Sequence, residues 1–157
     1  MTVRPPSAGD AAAGLALVTA AVDGTPYAPH LLDLAREALT GGSAESRALA
    51  AEHAGEMVGV VVFGEVAGAV GAGKVHLAVV TALARLRGVA TLLLDAAVAE
   101  MAERGARLVI AELPDDPRVA PGAALMRSGG FAEEGRVPDF YADGIALVIL
   151  VRRLAGG

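Results

Sequence analysis

The sequence of 157 residues contains no cysteine and no tryptophan, and aromatic side chains make up only 3% of it. Without a thiol there is no disulfide framework, no thiolate nucleophile, no cysteine-based zinc site and no thioester chemistry carried by the protein itself. The same absence points to a cytoplasmic setting. Few aromatics leave no platform on which bases would stack, and a net charge of −5 gives no basic footprint for a phosphate backbone. Nucleic acid is therefore not an expected partner, and the charge suits a cationic substrate without requiring one. A long hydrophobic run is missing too. The early apolar stretch Ala11 to Val22 is shorter than the roughly 20 residues a membrane helix needs. It also lacks a basic leader and follows Ser7-x-x-Asp10, a spacing that reads as a helix cap. A core helix is expected there, with no membrane role.

What is present is abundant apolar residue, 54% of the chain, much of it alanine, over a length that suits one α/β domain spanning 1–157. Thr2-Val3-Arg4 predicts a short strand stopped by Pro5-Pro6, followed by helices over about 8–22 and 29–39, the second ended by Gly41-Gly42. Strands are predicted over 46–54 and 57–66 around a turn at His53-Ala54-Gly55-Glu56, and a third over 74–80 after a glycine-rich loop. This is an antiparallel meander. A helix over 88–104 closed by Gly105, a strand over 107–113, a short helix near 120–128 and strands near 131–136 and 145–153 complete the order β-α-α-β-β-β-α-β-α-β-β. A terminal strand such as Ile145–Val151 on an alanine-rich, hydropathic chain predicts burial against a second copy, hence a homodimer.

Two stretches have phosphate-binding character. Gly68-Ala-Val-Gly-Ala-Gly73-Lys74 has P-loop spacing, but Val75 stands where a metal-binding hydroxyl is needed, and a strand follows instead of a helix. It reads as a hairpin loop. Arg85-Leu86-Arg87-Gly88-Val89-Ala90-Thr91, by contrast, lies between a β-branched strand and a helix whose buried side is expected to carry Leu92, Leu93, Ala96 and Ala97. Helix starts favour anions, so two arginines there imply a negative ligand that the sequence does not contain. Small residues at 88 and 90 would let it approach the free N–H groups of the first turn, an anion site that needs no metal.

Arg85-x-x-Gly88-x-Ala90 resembles the Q/R-x-x-G-x-G/A signature of the GNAT N-acetyltransferase superfamily. The spacing from Val80 to Gly88, Gly105 closing the helix, Gly130-Phe131 after a short helix and Pro138-Asp139-Phe140-Tyr141 before the last strand extend the resemblance from Val3 to Leu154. It implies a mixed, mostly antiparallel twisted sheet flanked by helices. It also implies a donor, acetyl-coenzyme A, with its diphosphate on the turn Arg85, Leu86, Arg87, Gly88, Val89, Ala90 and Thr91 and its pantetheine arm along Ala78, Val79 and Val80. The acceptor would be a primary amine of a small molecule or peptide.

Acetyl transfer to an amine requires orientation, a base for the amine and a proton or hydrogen-bond donor for the departing thiolate. His76, one alternation step from Ala78, and Glu112, near the exit of the next strand, are candidate acid–base residues, with Glu65 a third. The chain departs from the family in the run Ala124-Leu125-Met126-Arg127-Ser128-Gly129-Gly130-Phe131, which carries methionine where many members have a proton-donating tyrosine. A second departure, Gly144-Ile145 in place of glycine followed by aspartate, bears on polarity at the acceptor side. Tyr141 is the candidate replacement for the donor, Tyr27 lying in the N-terminal segment; water, or acyl-CoA binding without fast turnover, are the alternatives.

Overall fold

The computed structural model of the chain describes residues 1–154. In chain order it consists of β1 (Thr2–Arg4), α1 (Asp10–Val22), α2 (Ala28–Leu39), β2 (Arg47–His53), β3 (Glu56–Glu65), β4 (Ala72–Val80), α3 (Ala82–Leu86) and α4 (Val89–Glu103). These are followed by β5 (Leu108–Pro114), a 3-10 turn at Pro117–Val119, α5 (Ala120–Ser128), β6 (Ala132–Ala142) and β7 (Ile145–Arg153). The strands form one sheet in the order β1-β2-β3-β4-β5-β7-β6, and every neighbouring pair is antiparallel except β4 with β5. Among the described residues no helix is long and apolar enough to cross a membrane.

β3 explains why the sheet has helices on both faces. Its continuous run Val60-Val61-Val62-Phe63 is fully buried, with Val60 and Val62 packed among α1 and α2 residues and Val61 and Phe63 packed against α4. A strand apolar on both faces needs cover on both. α4 supplies one layer through Val89, Leu93, Leu94, Ala97, Val98 and Met101, a spacing that repeats every three to four residues as a helix face does. α1 and α2 supply the other through Val18, Val22, Ala35, Ala38 and Leu39.

The expected order of elements is observed, with local differences. Arg85 and Leu86 belong to an extra short helix, α3, capped by the Thr81 hydroxyl accepting from the Ala84 N–H at 3.3 Å. Gly88, at φ 74° and ψ 17°, breaks it from α4. That break rotates the next helix by about a residue, so Leu92, expected to be buried, is 50% exposed and Leu94 takes its place in the core. Ser7 does not cap α1 with its side chain. Instead the Asp10 carboxylate accepts from the Ser7 N–H at 2.6 Å and from Arg4 Nη1 at 2.7 Å, tying β1 to the helix. β7 lies between β5 and β6, so the last strand is not a free edge; β6 is.

Candidate active site

The site begins with a β-bulge. Across the β3–β4 ladder Val62 pairs with Leu77 and Phe63 with Val75, so His76 has no partner and is the extra residue. An inserted residue bends a strand and reverses its alternation beyond the insertion. Val75 accordingly packs with α4, Leu77 lies under α1 and α2, and Ala78 returns to the α4 side. His76 therefore does not share a face with Ala78 by simple alternation, as the sequence pattern implied. Its Nε2 lies 2.8 Å from the Glu45 carbonyl in the loop before β2. That loop sits so close to β3 that a Cβ at Gly64 would collide with the Glu45 backbone.

The bend opens the sheet. β4 and β5 pair only through Ala72↔Leu108, Gly73↔Val109 and Lys74↔Ile110; beyond Lys74, β4 pairs with β3 alone and β5 with β7 alone. The facing edges of His76–Val80 and Glu112–Pro114 are left without a strand between them, in a wedge closed at its apex by Lys74 Nζ to Glu112 Oε1 at 3.4 Å. A cavity of about 940 Å³ occupies the wedge. His76, Ala78, Val79, Val80, Arg85, Gly88, Ala90, Thr91, Glu112 and Tyr141 all line it. Leu86, Arg87 and Val89 do not: Leu86 is 85% exposed, Arg87 faces solvent, and the Val89 side chain is buried in the core. Glu65 lies outside it as well, pairing with Gly73 at the far end of β3.

At the α4 end of the cavity, the helix ladder starts with the Leu92 N–H donating to the Gly88 carbonyl at 3.2 Å, and no side chain caps the helix. The N–H groups of Val89, Ala90 and Thr91 precede that first bond and have no intrahelical acceptor. A Cβ on Gly88 would meet no atom within 4 Å, and Gly88, Ala90 and Thr91 line the cavity, so this turn opens onto it. Open space, unpaired N–H groups, the helix dipole and Arg85 fit a diphosphate, and the exposed β4 edge fits an extended amide-containing arm.

The opposite end of the cavity lies under α1, α2 and the tip of β6. Between Val137↔Leu147 and Ala142↔Ile145, β6 carries four residues against one on β7, with Asp139 at φ 55°. This wide bulge, which contains the Pro138–Tyr141 run, turns the Phe140 and Tyr141 side chains toward the cavity. The Tyr141 ring meets Tyr27 edge to face at 5.5 Å. Tyr27 is thus a cavity residue despite its place early in the sequence, and its hydroxyl donates to Asp116 Oδ2 at 2.9 Å. Burial, reinforced by the negative charge of Glu112, pushes the Tyr141 phenol up to about 12. Burial also lowers the His76 imidazole below its usual value, opposed by the bond to Glu45. A carbonyl only accepts, so Nε2 of neutral His76 carries the proton and Nδ1 keeps the lone pair.

Sequence reasoning missed Tyr27, His30 and Lys74 as cavity residues. His30 was legible in principle, since it shares the α2 face with Leu31 and Leu34. Lys74 lies in β4, as the strand predicted over 74–80 has it, and the loop before it is a hairpin whose Val70 carbonyl accepts from Arg107 Nε at 2.9 Å; what the failed P-loop spacing hides is that the lysine lines the cavity.

The acetyltransferase (GNAT) family model matches residues 17–120. No curated protein matches the sequence. Among solved structures, a GNAT-family protein from Desulfovibrio desulfuricans superposes with TM-score 0.85 at 22% identity, over 98% of this chain and 99% of its own. An aminoglycoside 6'-N-acetyltransferase complexed with coenzyme A gives TM-score 0.79 at 15% identity over 98% and 97%. The ribosomal-protein-S18-alanine N-acetyltransferase from Escherichia coli gives 0.76 at 15% over 99% and 95%. With the family model spanning most of the sequence and the sheet opening in front of an uncapped helix, the chain belongs to the GNAT acetyltransferase family.

Proposed function

We propose that the chain is an N-acetyltransferase in which acetyl-coenzyme A occupies the α4 end of the wedge and a primary amine enters from the side of α1, α2 and β6. The observation that carries this is the parting of β4 and β5 beyond Lys74 directly before the uncapped start of α4. Acetyl-coenzyme A supplies an activated acyl group. The first-turn N–H groups with Gly88 and Arg85 hold its diphosphate, and Ala78, Val79 and Val80 offer the open strand edge to its arm. Glu112 draws the amine into the wedge as a cation, opposite in sign to its own charge. His76, kept neutral by burial with Nδ1 unprotonated, takes the proton that the amine must lose before it attacks.

Tyr141 is the donor toward the departing thiolate, and its chemistry differs from simple acid catalysis. An alkyl thiol titrates near ~8.5, so full proton transfer from a phenol at about 12 would run uphill by about 5 kcal/mol. A phenol that stays protonated instead donates a hydrogen bond to the developing sulfur charge. Met126, which lines the cavity and is buried, cannot do this, and it supports the alternative of an acyl-CoA-binding protein without turnover. Thiol release from acetyl-coenzyme A over a panel of amines tests the choice, and a chain without cysteine adds no background to a thiol assay. Release that depends on added amine supports the enzyme; tight acetyl-coenzyme A binding with no release under any amine refutes it.

Dependence on acetyl-coenzyme A, an intracellular metabolite, supports a cytoplasmic setting. A homodimer, in this proposal, uses the β6 edge, where Val137 and Phe140 are exposed. A concentration-independent monomer mass in light scattering refutes it.

A further inference from the structure

The acceptor end of the cavity has walls of unusual neutrality for a chain that is acidic overall. Ala20, Ala21, Leu31, Leu34, Val119 and Phe140 form most of it. Its formal charges come in pairs that cancel. Glu112 is the only carboxylate among the lining residues and is engaged by Lys74 at 3.4 Å. Arg118 is matched by the buried Asp116 at 2.7 Å, which also accepts from Tyr27 and does not itself line the cavity. His30 and His76 are the remaining titratable groups apart from Tyr27, Tyr141 and, at the donor end, Arg85. The acidity expressed in the net charge of −5 therefore lies elsewhere on the surface.

From this we infer that the acceptor is a small amine on an apolar body, carrying one positive charge, and that polyamines and aminoglycosides are excluded. This deepens the acetyltransferase proposal and rests on it for the identity of the acceptor end. One ammonium can meet Glu112 by sharing it with Lys74. A second or third ammonium would find alkyl groups, cations and only neutral acceptors such as the free strand-edge carbonyls and the His76 ring, with no further carboxylate to offset its charge. An alkyl or aryl body meets the opposite condition: Leu31, Leu34 and Val119 desolvate it at no polar cost, and Tyr27, Phe140 and Tyr141 offer ring faces and edges. Two of the structural neighbours act, by their names, on an aminoglycoside and on a ribosomal-protein alanine. Shared fold does not decide between such acceptors, whereas wall chemistry does.

The test compares hexylamine and 2-phenylethylamine with spermidine and kanamycin as acceptors, reading thiol release at saturating acetyl-coenzyme A. Expected is a kcat/KM for the monoamines at least about 100-fold above that for the polycations, the scale of leaving a buried charge unpaired. A Leu34→Glu variant, which adds a carboxylate to the apolar wall, should narrow that ratio at least tenfold by raising spermidine turnover and lowering that of hexylamine. Polycations turned over as well as or better than monoamines by the wild type would overturn the inference while leaving the enzyme intact. Should no amine release thiol, the acetyltransferase proposal fails by itself. Equilibrium binding of hexylamine and spermidine, followed by saturation-transfer NMR, then decides: hexylamine alone supports the wall chemistry, and spermidine binding as well or better refutes it.

Discussion

Gly88→Val separates two things that one glycine does. At φ 74° a β-branched residue is strained whatever its surroundings, and the left-handed conformation costs about 1–2 kcal/mol of folding stability. Space is not the problem in the fold itself, because a Cβ there meets nothing within 4 Å. In the proposed site, this empty volume is where the diphosphate of acetyl-coenzyme A would approach the first turn of α4. A valine side chain standing in it would cost one or two charge-assisted hydrogen bonds, about 3 kcal/mol, or roughly 10²-fold in affinity for acetyl-coenzyme A. Gly68→Val is the matched control. Gly68 has φ 83°, also opens on empty space, and lies in the β3–β4 hairpin outside the cavity. Urea unfolding of both variants should give similar losses of stability, whereas calorimetric titration should show the affinity loss for Gly88→Val alone. Equal acetyl-coenzyme A affinity in the two folded variants would refute the assignment of the α4 turn.

Arg85→Ala should weaken acetyl-coenzyme A binding by less than Gly88→Val, with a loss that shrinks as salt is raised, and Arg87→Ala, outside the cavity, should lose less still; titrations at two ionic strengths check the order. Tyr141→Phe should lower kcat by roughly 30-fold, about 2 kcal/mol for one hydrogen bond to a charged sulfur, with acetyl-coenzyme A affinity unchanged; wild-type kcat would remove the phenol from the mechanism. Asp10 and Asp116 are held from 3.8 down to about 2, chiefly by Arg4 and Arg118 respectively. A depressed folded pKa stabilises above the unfolded value, so each contributes on the order of 2 kcal/mol above about pH 4 and loses it as pH falls toward 2. Unfolding free energies measured across that interval should fall, and should fall less in Asp116→Asn.

Most of the fold could be read from the sequence because its signals are local. The apolar run of β3, the glycines ending α2 and α4 and the strand-turn-helix context of Arg85–Ala90 each act within a few residues. α3 was missed because a five-residue helix has no periodicity to detect, and only its Thr81 cap signals it. The phase of α4 was missed for a related reason: a left-handed Gly88 resets the helix, and Leu92, Leu93 and Leu94 are all apolar, so composition does not choose which one faces solvent.

The site was less legible because two of its determinants are breaks in regularity. A strand read by alternation sets His76 with Ala78, but the bulge at His76 changes the parity of β4, bends the strand and so opens the wedge. No residue type announces it; His76 is a tolerable strand residue, and the Glu45 carbonyl that accepts from its ring comes from a loop 31 residues away, close to Gly64. Tyr27 shows the same limit over a longer range. Its hydroxyl is fixed by Asp116, 89 residues away, in a pairing that requires the loop after β5 to meet the turn between α1 and α2. Both tyrosines stand together at one end of the cavity that opens where β4 and β5 part. The bulge at His76 thus bears on the free β4 edge where it parts from β5, and so on a cavity whose other walls come from α1, α2 and β6.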